Sequence, residues 1–152
     1  MLDEKSPGID RNIIMAKLGK LQQYLKYLRE LHKSSFDDIV SDFKITGAVE
    51  RYLQVSIECM IDTGNEIISS LQLQRPERYR DIPYILARSG VIPRQFADTM
   101  ASMIGFRDPL VHDYATINLK LVYEFLQTKI TDFEEFIRYI VEWLKKTSYE
   151  GN

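Results

Sequence analysis

The sequence predicts an all-α protein, an up-and-down bundle of four to five main helices. Apolar residues recur at steps of three and four in several segments, and glycines, prolines or capping residues separate those segments. No stretch of useful length alternates apolar and polar residues as a half-buried strand does. With 152 residues, 45% of them hydrophobic, the chain can build one core. We therefore expect a single domain over residues 1–152, with a core at about 10–147 and flexible ends.

The first half of the chain predicts two long helices with a short one between them. Asp10 can cap a first helix that ends near His32 and carries a narrow apolar stripe, formed by Ile14, Leu18, Leu21, Leu25 and Leu28. Capping residues at 34–38 then favour a short helix. A long helix follows from about Lys44 to Leu73, and its apolar residues cover more than one face, which is typical of a central helix. Within it, Gly64 is expected to allow the close approach of another backbone.

The second half predicts four further helical segments. Asp81-Ile82-Pro83 favours the start of a short helix that Gly90 ends, and Pro93 opens a helix that Gly105 ends. An apolar stripe with helical spacing follows, and its residues are Ile117, Leu121, Val122 and Phe125. Thr131-Asp132-Phe133-Glu134 has the pattern of a capping box. It predicts the start of a separate last helix, whose inward residues are Phe133, Phe136, Ile137, Ile140 and Leu144.

The composition excludes several common classes of site. One cysteine and two histidines are too few for a zinc site or a disulfide, so we expect no metal, no cofactor and a buried, unreactive Cys59. The seven glycines stand apart, which excludes a Gly-rich phosphate loop. No apolar run is long enough to span a membrane, and the first residues are acidic where a signal peptide is basic. We expect a cytoplasmic protein with no membrane partner.

The charge is unevenly distributed along the chain. The net charge is −2, but residues 75–107 contain six arginines, no lysine and three acids, a local charge of +3. The arginines are Arg75, Arg78, Arg80, Arg88, Arg94 and Arg107. Because the planar guanidinium suits bidentate contact with phosphate, this stretch favours a phosphate-bearing partner. The alternative is a solvated surface with scattered ion pairs.

A cluster of polar residues follows the predicted end of a helix at Gly105. Arg107, His112 and Tyr114 form the pattern Arg-x4-His-x-Tyr. On one straight helix, Arg107 and Tyr114 would be about 20° apart around the axis, but Arg107 and His112 would be about 140° apart. Two arrangements could bring all three together: a bend at Pro109, or a second protomer that contributes its own copy.

These side chains are suited to RNA cleavage without a metal. A histidine can take a proton from a ribose 2′-hydroxyl or protonate a leaving oxygen, and an arginine can stabilise charge on the phosphoryl oxygens. Attack by the 2′-hydroxyl would leave a cyclic phosphate and would spare DNA. The same three residue types also occur by chance in many proteins, so the pattern alone is a weak indication.

The segment 106–114 is similar to the Arg-x4-His-x-Tyr motif of the HepT-like proteins, a branch of the HEPN superfamily of helical nucleases. Three further stretches resemble the same family in the same order: Glu50-Arg51-Tyr52-Leu53-Gln54, Tyr79-Arg80-Asp81-Ile82-Pro83 and Gly90-Val91-Ile92-Pro93. The resemblance covers about residues 10–145. It implies a homodimeric helical bundle in which the motifs of both chains face a shared cleft.

The resemblance also implies a function and a partner. It implies a ribonuclease toxin of a type VII toxin–antitoxin pair, which acts on cellular RNA and has tRNA among its expected targets. It also implies that Arg107 and His112 are the catalytic residues. The implied partner is an MntA-type minimal nucleotidyltransferase, which neutralises the toxin by attaching AMP to Tyr114. The added negative charge and bulk would exclude RNA from the cleft.

One position departs from the family pattern. Asp108 stands where Asn is common in the family. As a supporting residue, Asp108 could pair with Arg107 and weaken the binding of phosphate by that arginine. Alternatively, its carboxylate could orient a histidine of either chain. Glu50 and Arg51 are further candidates for support. The alternative function is a non-catalytic helical module that binds a nucleotidyltransferase or a nucleotide. A third alternative is a structural dimer whose motif only caps helices.

Overall fold

The computed structural model describes residues 8–112 and 118–150, with side chains described for 8–110 and 118–147. Seven α-helices lie in these segments: α1 (Arg11–Leu31), α2 (Phe36–Val40), α3 (Phe43–Ser70), α4 (Ile82–Arg88), α5 (Arg94–Gly105), α6 (Arg107–His112) and α7 (Leu119–Glu150). A 3-10 turn, Tyr79–Asp81, precedes α4. The prediction of an all-α bundle is confirmed, with α1, α3, α5 and α7 as its main helices. The predicted flexible ends lie largely outside the described residues.

The helices α1 and α3 form the central pair of the bundle. The Asp10 carboxylate caps α1 by accepting a hydrogen bond from the Ile13 N–H at 3.2 Å, as predicted. The five predicted stripe residues of α1 are all buried, from Ile14 to Leu28. On α3, Cys59 is free and only 8% exposed, and burial raises the pKa of its thiol. The prediction that Cys59 is a buried apolar residue is confirmed.

The helix α7 is continuous, so the prediction of a separate last helix starting at Thr131 is wrong. The Thr131 hydroxyl lies 3.5 Å from the carbonyl oxygen of Thr128, within the same helix. The buried face runs through the expected break without interruption: Val122, Phe125, Leu126, Ile130, Phe133, Phe136, Ile137, Ile140 and Leu144. Leu121, which we expected on the inner stripe, is 52% exposed. A capping box is a local pattern, and the continuous apolar face outweighs it here.

The short helix α4 fills the space between α3 and α5. A Cβ atom at Gly64 would lie 2.5 Å from Cγ2 of Ile82, so the glycine does allow a close approach. The approaching group is an isoleucine side chain on α4, and the prediction of a second backbone there is wrong. In the described segments, no helix is long and apolar enough to cross a membrane.

Candidate functional site

The functional candidate Arg107 begins α6, directly after a break in the helical path. The helix α5 ends at Gly105, Phe106 forms the junction, and α6 starts at the next residue. The Phe106 ring stacks on Phe125 of α7, with ring centroids 4.4 Å apart and planes within 9°. This stacking fixes the junction against the core, and it thereby fixes the point from which the Arg107 side chain departs.

The break does not fall where the sequence suggested. We considered a bend at Pro109, but Arg107–His112 is a single helical segment and the chain turns at Phe106. Pro109 is the third residue of α6, in the first turn, where a missing N–H removes no hydrogen bond within the helix. Positions 107 and 112 on one regular helix are about 140° apart around its axis.

The Arg107 side chain is held by groups from three parts of the fold. Its Nε lies 3.3 Å from Oε2 of Glu58 on α3, and its Nη1 lies 3.5 Å from Oδ1 of Asp108. The guanidinium also stands over the ring of Tyr79, 5.3 Å from the centroid. Gln54 donates a hydrogen bond to the same Glu58 oxygen at 3.1 Å. The guanidinium is thereby oriented from several sides, and its side chain remains 24% exposed.

One nitrogen of this guanidinium, Nη2, has no partner among the described side chains. Among the side chains of residues 8–110 and 118–147, none forms a hydrogen bond or ion pair with Nη2 of Arg107. The side chain borders a groove of about 1060 Å³. An oriented arginine with unused donors at the wall of a groove can accept a phosphate without first breaking a bond to a protein group.

The groove lies between the end of α3, the connection 71–81 and the junction of α5 with α6. Four of the six arginines of the basic stretch line it: Arg75, Arg78, Arg80 and Arg107. The other two do not: Arg88 is exposed elsewhere, while Arg94 lies 4.0 Å from Asp98 and over the ring of Tyr84. The sequence identified the stretch that supplies these four arginines, but it did not separate them from Arg88 and Arg94. Glu50 and Arg51 do not line the groove.

The other predicted site residues have different outcomes. Asp108 contacts Arg107, which was one of the two roles considered for it, and its side chain is 74% exposed. His112 ends α6, but its side chain lies outside the described part of the structure, and all of Tyr114 does too. Glu58 was missed. Little in the sequence points to Glu58: it is a single acidic residue among the apolar residues of segment 57–61, in a central helix.

The fold and the groove together define the class of protein: a helical bundle with a cationic groove that is suited to binding phosphate groups. Comparison with known proteins identifies the family. A family model described as Ribonuclease HepT-like matches residues 21–140. The chain therefore belongs to the ribonuclease HepT-like family and is an RNase of that family, as its resemblance implied.

Individual relatives agree with this assignment. The chain is 31% identical over 126 residues to the mRNA nuclease HepT of Shewanella oneidensis, covering 83% of this chain and 94% of that protein. It is 26% identical over 137 residues to the tRNA nuclease HepT of Aphanizomenon flos-aquae, covering 90% and 93%. A solved structure of the tri-AMPylated Shewanella oneidensis HEPN toxin in complex with MNT antitoxin matches with a TM-score of 0.80 and 30% identity, covering 88% of this chain and 99% of that one.

Proposed function

We propose that this protein is the toxin of a type VII toxin–antitoxin pair, a single-domain ribonuclease that cleaves cytoplasmic RNA without a metal. The observation that supports it most directly is the setting of Arg107, which Glu58 and Tyr79 hold at the wall of a cationic groove, with no partner for Nη2 among the described side chains. In the described segments no group of three His, Cys, Asp or Glu side chains could hold a metal ion. The chemistry we propose uses protein side chains alone.

The active form that we propose is a homodimer. Since α6 is continuous from Arg107 to His112, the two positions lie about 140° apart around the helix axis. A two-fold axis beside α6 would place Arg107 of one protomer opposite His112 of the other. Each catalytic centre would then be composite, with one residue from each chain.

The proposed reaction is an attack by the ribose 2′-hydroxyl on the adjacent phosphate. His112 takes the hydroxyl proton as the bond from the 2′-oxygen to phosphorus forms. Arg107 stabilises the negative charge that grows on the non-bridging oxygens. The bond from phosphorus to the 5′-oxygen breaks, and the leaving oxygen takes a proton from water. The products are a 2′,3′-cyclic phosphate and a 5′-hydroxyl.

We propose that Tyr114 is the site of control, modified with AMP by an MntA-type minimal nucleotidyltransferase. Support comes from the matching HEPN toxin, which is tri-AMPylated and in complex with MNT antitoxin. Tyr114 follows His112 by two residues, so each AMP there would bring a negative phosphodiester close to the catalytic histidine. RNA phosphates would be repelled by that charge and blocked by its bulk.

Cleavage by purified protein tests the proposed activity. The wild-type protein, purified free of nucleotidyltransferase, is expected to cut total RNA or tRNA in EDTA. Arg107→Ala and His112→Ala are expected to remain folded and inactive. Arg88→Ala, which removes an exposed arginine outside the groove, is the matched control and should cut normally. Intact RNA together with a tight nucleotidyltransferase complex would instead favour the non-catalytic binding module.

Mixed dimers test the composite centre. Arg107→Ala and His112→Ala chains are co-expressed with different tags, and dimers that carry both tags are isolated. If each centre takes one residue from each chain, a mixed dimer keeps one intact centre and regains about half of the wild-type activity. If both residues act within one chain, the mixed dimer stays inactive, and the composite arrangement is wrong.

Intact mass tests the control site. Co-expression with an MntA-type nucleotidyltransferase is expected to add one or more AMP units to the wild-type chain and to abolish cleavage. Tyr114→Phe lacks the phenolic oxygen and should keep its unmodified mass. AMP addition to Tyr114→Phe at the wild-type level would assign the modification to another residue.

A further inference from the structure

The connection between α3 and α4 carries a second cationic element besides Arg107. Residues 71–81 contain Arg75, Arg78 and Arg80, and all three line the same groove as Arg107. Their side chains are exposed, and within the described segments no carboxylate lies within 4.0 Å of any of their guanidinium groups. Arg107, by comparison, contacts two carboxylates. Among the described side chains, the three arginines of the connection thus have no acidic partner that a phosphate would have to displace.

The connection presents these arginines from a defined backbone. The Asp81 carboxylate accepts a hydrogen bond from the Arg78 N–H at 3.0 Å, and the Asp81 N–H donates to the Arg78 carbonyl at 3.0 Å. At the other end, the Leu73 N–H donates to the Ile68 carbonyl at 3.0 Å, and Leu73 packs against the core. Because both ends are tied, the arginines lose less freedom on binding than those of an unconstrained loop would.

Arg80 connects this element to the candidate catalytic arginine. Its guanidinium lies against Gly105, where an added Cβ would come within 3.4 Å of the Arg80 Cζ. Gly105 precedes Arg107 by two residues. The ring of Tyr79 lies beneath the Arg107 guanidinium and is 48% exposed. The groove thus offers several cationic groups together with a partly open aromatic ring, a combination that suits single-stranded nucleic acid.

The charge of the groove differs in sign from that of the whole protein. The lining contains four arginines and two acids, Glu77 and Asp108, which gives a local charge of +2, whereas the chain has −2. An acidic protein repels RNA in general, so a substrate must be held by a local positive field. Guanidinium groups also match phosphate oxygens in a bidentate geometry.

We propose that Arg75, Arg78 and Arg80 form a binding site for the RNA backbone, which holds phosphates on one side of the scissile bond while that bond lies at Arg107. This proposal rests on the proposed ribonuclease function and adds to it the path of the substrate. The three arginines bind the substrate and take no part in bond cleavage. Their loss should raise KM and leave kcat nearly unchanged.

Binding of an uncleavable RNA separates this proposal from catalysis. The probe is a fluorescent single-stranded 2′-O-methyl RNA, which has no free 2′-hydroxyl to attack phosphate, and affinity is measured by anisotropy over a range of salt concentrations. The test variant is Arg75→Gln/Arg78→Gln/Arg80→Gln. The control, Arg88→Gln/Arg94→Gln/Lys145→Gln, makes the same change in net charge at exposed sites outside the groove. Circular dichroism checks folding, and the single variants replace the triple variant if it fails to fold.

The salt dependence gives the expected size of the effect. Each phosphate contact with a single strand contributes about 0.7 to the slope of log K against log salt, so loss of three contacts should flatten the slope by about 2. The control should keep the wild-type slope. If the test variant binds and cleaves RNA as the wild type does, the proposed binding site is wrong while the ribonuclease function stands.

Two other results would also be decisive. If the wild-type protein neither binds nor cleaves RNA, the ribonuclease function itself fails. If the test variant keeps its RNA affinity but no longer binds the nucleotidyltransferase, the groove is a docking site for protein, and the RNA path is overturned.

Discussion

The contact between Glu58 and Arg107 allows a quantitative prediction. Glu58 does not face the substrate in our account but orients the guanidinium, with Arg107 Nε 3.3 Å from its Oε2. The two side chains are only 32% and 24% exposed, so water screens the pair incompletely. An ion pair between partly exposed side chains contributes about 0.5–1 kcal/mol. If that energy holds Arg107 in its productive position, Glu58→Ala lowers kcat by about two- to fivefold.

Substitutions of Glu58 are expected to change kcat and KM differently. Removal of a carboxylate from beside the groove reduces repulsion of RNA, so KM for Glu58→Ala should stay level or fall. Glu58→Gln keeps the size of the side chain and an oxygen beside Arg107 Nε but has no charge. Its kcat should lie between those of the wild type and Glu58→Ala. A purely structural role would give no such order.

Steady-state cleavage of a fluorogenic RNA in EDTA measures both parameters, and thermal unfolding checks that each variant is folded. Glu66→Ala is the matched control, because Glu66 lies on the same helix and does not line the groove. The proposed role of Glu58 is wrong if folded Glu58→Ala keeps the kcat of the wild type. It is also wrong if Glu66→Ala loses as much activity.

Two further predictions concern packing and charge. Gly64→Ala should destabilise the protein by about 1–3 kcal/mol, because the added Cβ would lie 2.5 Å from Ile82 Cγ2. Gly19→Ala should stabilise it by about 0.5–1 kcal/mol, because a Cβ at this position on α1 meets open space and alanine favours a helix more than glycine does. Denaturant unfolding measures both, and equal effects would contradict the packing argument. Asp108→Asn should raise affinity for 2′-O-methyl RNA by up to about fivefold, because an exposed ion pair with Arg107 contributes at most about 1 kcal/mol. A fall in affinity would assign Asp108 a supporting role.

Local patterns predicted local structure well. The stripe from Ile14 to Leu28 and the cap at Asp10 depend on residues within one or two turns, and both are confirmed. The capping box at Thr131 is equally local but was misleading, since the apolar face of α7 continues across it and packs on the bundle. Tertiary packing decided that boundary, and a single short pattern does not report tertiary packing.

The site was predictable only in part, for a similar reason. The motif and its resemblance led to Arg107, and the arginine-rich stretch led to the groove. Which arginines share that groove depends on how the connection 71–81 docks beside the junction of α5 and α6. Glu58 lies far from Arg107 in sequence and becomes its neighbour only through the packing of α3 against α6. Contacts of this kind leave no regular spacing in a sequence.

The central claim is RNA cleavage by the 2′-hydroxyl without a metal, and analysis of the cleaved ends tests it most directly. The purified wild-type protein is incubated in EDTA with an RNA and with the same RNA carrying a 2′-O-methyl group at the cleaved position. Our account predicts a 2′,3′-cyclic phosphate and a 5′-hydroxyl from the first RNA, no cleavage of the second, and no cleavage by Arg107→Ala. Cleavage that requires Mg²⁺, products with 5′-phosphate ends, or intact RNA would contradict it.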